Sequence, residues 1–152
     1  MKQNIIKFNK PFISSSTENN INKVLRNKNF ADGEFQLKSE KIIQKLINSK
    51  SIKLTQNCSS ALEIAMILAN IKSGDEVIVP SYTFTSTANC VLMRNAKPIF
   101  ADINLNDINL NPKSVEKKIN KKTKAIIIVH YGGIACDMEM FLKLKKKYNL
   151  YL

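Results

Sequence analysis

Ile52-Lys53-Leu54-Thr55-Gln56-Asn57-Cys58-Ser59-Ser60-Ala61-Leu62 is where the sequence changes character. A short β-prone triplet, Ile52-Lys53-Leu54, passes through small polar residues into a segment of helical period, Ser60 to Asn70, with Leu62, Ala65, Leu68 and Ala69 inward. The same alternation then repeats toward the C-terminus. Ser73-Gly74-Asp75 reads as a turn, Glu76 to Val79 as a strand ended by Pro80, Thr85 to Arg94 as a helix, and Pro98 to Asp102 as a strand. Asn111-Pro112 opens a further helix in the N-cap and N1 positions, with Val115 and Ile119 on one face. Lys124 to Val129 is a run of Ala, Ile and Val, the pattern of a strand buried on both faces. Asp137 caps a helix through Lys147 carrying Phe141, Leu144 and Tyr148, and Leu150-Tyr151-Leu152 reads as the start of another strand. Strands separated by helices of this length predict an α/β chain with a mostly parallel sheet and helices on both faces.

Upstream of this alternation, residues 1–35 form a polar leader. It holds one helix from Thr17, the expected N-cap, to Leu25, and a turn at Ala31-Asp32-Gly33-Glu34-Phe35. A helix from Gln36 to Asn48 follows, with Ile42, Ile43, Leu46 and Ile47 as its apolar stripe.

Composition narrows the function classes. The chain has 152 residues, 44% of them hydrophobic, and a formal net charge of +12. Such a charge suggests nucleic acid, yet only Arg26 and Arg94 are arginines among 24 basic residues, and the lysines are dispersed. Readers of nucleic acid favour the bidentate guanidinium, so no nucleic-acid partner is expected. Cys58, Cys90 and Cys136 form neither a zinc-type spacing nor a disulfide framework, and no metal is expected. A reducing, cytoplasmic setting fits, since Met1 to Lys7 has no secretory apolar core and no run is long enough to span a membrane.

In open α/β sheets ligands bind beyond the carboxyl ends of the strands. Three segments belong there: Thr55 to Ser60, Pro80 to Thr87, and His130-Tyr131-Gly132-Gly133. In the first, backbone N–H groups at Cys58, Ser59 and Ser60 would meet a phosphate at the positive end of a helix. The same residues read equally as an ordinary N-cap by Asn57 or Ser59. Cys58 lacks a local base and reads as a buried structural thiol rather than a nucleophile. Phe84 would project over the crevice, either to stack on a planar cofactor or to fill the core. His130, the only histidine, has no paired carboxylate and reads as structural, beside a Gly-Gly that permits close backbone approach. The segment is neither a Walker loop nor a G-x-G-x-x-G fingerprint. From the residues alone, the expectation is a phosphate-bearing planar cofactor on an α/β sheet.

Taken in order, Ala31 to Phe35, Leu54 to Glu63, Gly74 to Phe84, Ser86-Thr87-Ala88-Asn89, Pro98 to Asp102 and Val129 to Gly133 resemble the DegT/StrS sugar aminotransferases. The resemblance implies the N-terminal part of a fold-type I large domain, with pyridoxal 5'-phosphate as cofactor. It places Cys58 and Ser59 at the cofactor phosphate and Phe84 against the pyridine ring, and leaves the role of His130 open. It implies a leader over 1–35, including Phe8, Asn9, Lys10 and Pro11, that shapes the substrate cleft, and an incomplete cofactor-binding domain over 36–152. It also implies a homodimer acting on a nucleoside-diphosphate keto sugar with an amino-acid donor. Ser81 to Phe84 and His130 to Met138 look most like the branch acting on dTDP-linked 4-keto-6-deoxy sugars.

The aspartate that pairs with the pyridinium nitrogen, the lysine that bonds the cofactor and the small C-terminal domain would all lie past Leu152. No catalytic residue is therefore assigned, and the chain is expected to be inactive and poorly stable alone. Family dehydratases carry histidine at that lysine position, so a sugar dehydratase or a non-catalytic remnant are the alternatives.

Overall fold

In the computed structural model, which describes residues 10–31 and 33–152, contacts cluster into two compact units, one ending at Leu54 and the other spanning Thr55–Leu152. Phe8, Asn9 and Asp32, named above, lie outside the described residues.

The first unit holds α1 (Thr17–Asn27) and α2 (Glu34–Leu46). Ser16, not Thr17, occupies the N-cap of α1, and Lys28 closes the helix in the left-handed conformation. The helix expected from Gln36 begins at Glu34, inside the expected turn. Ile52-Lys53-Leu54 is not a strand. The N–H of Leu54 donates to Glu40 Oε1 at 3.3 Å, so a buried carboxylate takes the place of a strand neighbour. Gln36 Nε2 and Lys53 Nζ donate to the same carboxylate, which lies below the ordinary glutamate range, chiefly through Gln36. Most of the apolar stripe of α2 is left uncovered: Ile42, Leu46 and Ile47 stay exposed.

The second unit contains α3 (Cys58–Leu68), β1 (Glu76–Pro80), α4 (Ser86–Leu92), β2 (Lys97–Ala101), α5 (Pro112–Lys118), β3 (Thr123–Ile126) and α6 (Met138–Tyr148). The three strands form a parallel sheet in the order β2-β1-β3, with Ile78 opposite both Ile99 and Ile126. Tyr151 adds a single parallel bridge to Ala125, where the sequence suggested a new strand.

Period-two alternation sorts the core into two layers. Val77, Val79 and Ala125 pack with Met66, Cys90 and Val91 from α3 and α4, while Ile78 and Ile126 pack with Val115, Phe141 and Leu144 from α5 and α6. Helices thus cover both faces, as the alternation of the sequence requires. The caps are local: Asn111 Oδ1 accepts from Lys113 and Ser114 N–H with Pro112 at N1, and Asp137 Oδ1 accepts from Met140 N–H at 3.1 Å. One face was misread. In α3 it is Met66 that is buried, whereas Leu68 is 79% exposed and Ala65 is exposed. A helical stripe fixes which residues share a face, but the neighbouring elements decide how much of it is covered.

α5 and α6 are tied at one point, where Glu116 Oε1 accepts from Lys147 Nζ at 2.8 Å and from the Tyr148 hydroxyl at 3.1 Å. The Lys147 contact, foremost, holds the Glu116 carboxyl below its ordinary value of 4.5. A depressed folded pKa contributes stability that is present above the unfolded value and lost as pH falls through the folded one. Acid melts of wild type and Lys147→Ala are therefore expected to differ above the ordinary glutamate range and to converge below it. The tie is exposed, so the difference will be small.

Candidate functional site

The sheet order reverses between β1 and β3, since the chain leaves β1 toward β2 on one side and returns to β3 on the other. Loops at that switch point part to leave a crevice at the carboxyl ends of the strands. A cleft of about 500 Å³ lies there, and Cys58, Ser59 and Phe84 all line it. Residues that the sequence reading chose separately, from a helix start and from a loop after a strand, are brought to one place.

Each arrives for a local reason. Asn57 is the N-cap of α3: its backbone is extended (φ −161°, ψ 168°) and its Oδ1 accepts from Ser60 N–H at 2.9 Å. The ordinary cap is thus real, and it consumes the Ser60 donor. Cys58 and Ser59 occupy the first two helical positions, where an α-helix has no internal acceptor for the N–H. Their amides face the anion-favouring end of the helix dipole. Cys58 is exposed, which corrects the expectation of a buried structural thiol. Cys58 lines the cleft instead, and it is Cys90 and Cys136 that are buried. Burial pushes both of those thiols up.

Phe84 is 74% exposed, so it is not a core aromatic. Pro80 ends β1, and Ser81 N–H donates the last ladder hydrogen bond of the β1–β2 pair, to the Ala101 carbonyl at 2.8 Å, before the loop that carries Phe84. Thr83 of the loop shares a hydroxyl hydrogen bond of 2.9 Å with Thr87 of α4, and Ser86 of α4 shares one with Ser59 of α3, linking the two helix starts that frame the cleft. Ile127, Ile128 and Val129 supply its apolar lining. None of the described lining side chains is charged, so an anion there meets amides and hydroxyls.

The third segment contributes through Tyr131 rather than His130. The Tyr131 ring lines the cleft, and its hydroxyl donates to that of Tyr82 at 3.3 Å, which pushes the Tyr131 phenol up. His130 Nδ1 accepts from Cys136 N–H at 3.1 Å, which puts the ring proton of the neutral imidazole on Nε2 and makes the side chain a loop clamp. Gly132 and Gly133 have φ of +60° and +82°, and a Cβ on either would meet nothing within 4 Å. They serve a left-handed turn, not the close approach inferred from sequence. Ser86 and Tyr131 lay in segments the sequence singled out, but Asn109, which bonds to the Tyr131 loop, gave no signal among neighbouring asparagines.

Paired amides at a helix start, nearby hydroxyls, an apolar wall and a presented aromatic ring fit a phosphate-bearing planar group. Across residues 11–152 the chain matches the profile of the DegT/DnrJ/EryC1/StrS aminotransferase family. The chain belongs to that family. This DegT/DnrJ/EryC1/StrS chain is 35% identical to GDP-perosamine synthase of Vibrio cholerae over 79% of its own length and 33% of the relative's. The X-ray structure of the aminotransferase from Psychrobacter cryohalolentis has a TM-score of 0.88 at 31% identity, over 93% of this chain and 36% of its own. NtdA of Bacillus subtilis, solved with bound cofactor PMP, has a TM-score of 0.83 at 29% identity, over 88% of this chain and 31% of its own. The chain thus spans about a third of the length of the relatives it matches. Among the described residues no three metal-ligating side chains cluster, and no helix is long and apolar enough to cross a membrane.

Proposed function

We propose that this chain is the cofactor-phosphate portion of a pyridoxal-phosphate-dependent sugar aminotransferase. In that reading the complete enzyme moves an amino group from glutamate to a nucleoside-diphosphate-linked 4-keto-6-deoxy sugar, for surface-glycan precursors, and works as a homodimer. The supporting observation is the convergence of Cys58, Ser59 and Phe84 on one uncharged cleft at the switch point of the sheet. The dimer, the donor and the sugar rest on the family resemblance.

When bound, pyridoxal phosphate supplies the carrier for the amino group and an electron sink for the carbon that exchanges it. The residues of this chain bind and orient. The N–H groups of Cys58 and Ser59, with the hydroxyls of Ser59 and Ser86, meet the phosphate. Phe84 offers its ring to the planar group, and Ile127 to Val129 keep water from that side. The described lining includes no Lys, His, Asp or Glu.

The test is to incubate the complete enzyme with pyridoxal phosphate, isotope-labelled glutamate and a dTDP-4-keto-6-deoxy sugar, and to weigh the nucleotide product. A labelled amino sugar is the expected result. Retained cofactor with no amine in the product, whatever the donor, would overturn the transfer, and loss of water from the sugar instead would make the enzyme a dehydratase.

A further inference from the structure

Asn109 lies on the connection between β2 and α5 with 1% of its surface exposed, and both ends of its amide are spent on one distant loop. Its Oδ1 accepts from Tyr131 N–H at 2.9 Å, and its Nδ2 donates to the Ile134 carbonyl at 3.1 Å. The Asn109 backbone is itself held, since its N–H donates to Asp107 Oδ1 at 3.0 Å and its carbonyl accepts from Asn104 N–H at 2.8 Å. A buried amide is costly unless its hydrogen bonds are made, so this pairing favours one placement of the loop. The loop needs such a constraint, because Gly132 and Gly133 within it have the widest backbone freedom of any residue type. It carries Tyr131, which with Phe84 makes up the aromatic lining of the cleft. Tyr82 and Tyr131 pack with ring centroids 5.2 Å apart, so the clamped loop also meets the loop that carries Phe84.

We propose that Asn109 is a positioning residue for the cofactor cleft, acting through Tyr131: it holds the Tyr131 ring in the cleft wall, and the Tyr82–Tyr131 contact joins that wall to the Phe84 loop. The inference rests on the reading that the cleft takes pyridoxal phosphate. Asn109 touches no cofactor and takes no part in proton transfer.

The experiment titrates pyridoxal phosphate into the complete enzyme by equilibrium dialysis and follows amide exchange across 130–136 by mass spectrometry. Asn109→Ala is expected to bind about tenfold more weakly, with faster exchange at 131–134 and unchanged exchange in β1. Tyr131→Ala should weaken binding by a similar factor, and the double variant should be no weaker than Tyr131→Ala, because Asn109 acts through that ring. Tyr131→Phe keeps the ring and is expected to stay within about threefold of wild type. Losses that multiply in the double variant would overturn the proposal by making Asn109 a general support. Should Asn109→Ala fail to fold, Tyr131→Ala and Tyr131→Phe carry the test, and wild-type affinity in both overturns it. A wild-type complete enzyme that takes up no pyridoxal phosphate overturns the functional reading and this proposal together. Wild-type binding with unaltered Asn109→Ala binding overturns this proposal alone.

Discussion

Pyridoxal phosphate is expected to bind the Cys58→Pro variant roughly ten- to a hundredfold more weakly than wild type, because one hydrogen bond to a charged group contributes about 1.5–3 kcal/mol. The substitution removes a single N–H and little else. Cys58 is the first residue of α3, a position that suits proline because its N–H has no helical acceptor. Proline also restricts the residue before it to extended conformations, and Asn57 is already extended. The Asn57 cap on Ser60 survives, so the melting transition should scarcely move. Cys58→Ala, which keeps the amide and loses the thiol, is expected to bind as wild type. Equal affinity in the proline variant would remove the phosphate from this helix start, and weak binding by the alanine variant would transfer the role to the thiol.

Phe141→Ala is expected to destabilise the second unit by about 3–5 kcal/mol, the usual result of emptying a buried aromatic site. Phe141 is fully buried on α6, against Ile78 and Ile126 of the sheet and Val115 of α5. Its loss would open a cavity where α5, α6 and the sheet meet, and a domain holds only about 5–15 kcal/mol in all. Urea denaturation followed by far-ultraviolet circular dichroism measures the shift. Leu142→Ala, on the same helix but 51% exposed, serves as the comparison and should change little. Equal midpoints for the two variants would mean that α6 contributes little to the core.

Much of the scaffold was legible because its signals are short-range. Asn111-Pro112 and Asp137 start their helices within four residues, and the structure has both caps. The apolar strands at Glu76 and Lys97 fall within a residue of the sequence reading, since Gly74 and Pro80 punctuate one and Pro98 opens the other. Lys124 to Val129 shows the limit of that reasoning. Its apolar run is longer than the strand, which ends at Ile126: Ile127 N–H still donates to the Ile78 carbonyl at 2.9 Å, and Ile127 to Val129 line the cleft. Ile52-Lys53-Leu54 failed for the opposite reason: a strand needs a neighbour, and there the neighbour is the Glu40 carboxylate.

The candidate site divides in the same way. Position at a helix start or strand end put Cys58, Ser59 and Phe84 among the candidates beside ordinary structural readings, and the resemblance to the family singled them out. By itself, then, the sequence determined the α/β alternation, the Asn111 and Asp137 helix caps and the family, all of which depend on residues close along the chain or on motifs in fixed order. Only the tertiary structure decided that Cys58 is exposed, that Met66 rather than Leu68 is covered, and that three loops meet at one cleft. It alone placed Asn109 against Tyr131, 22 residues away, and Tyr82 against Tyr131, 49 residues away. Such contacts depend on how strands order themselves in the sheet, and local periodicity carries no information about that order.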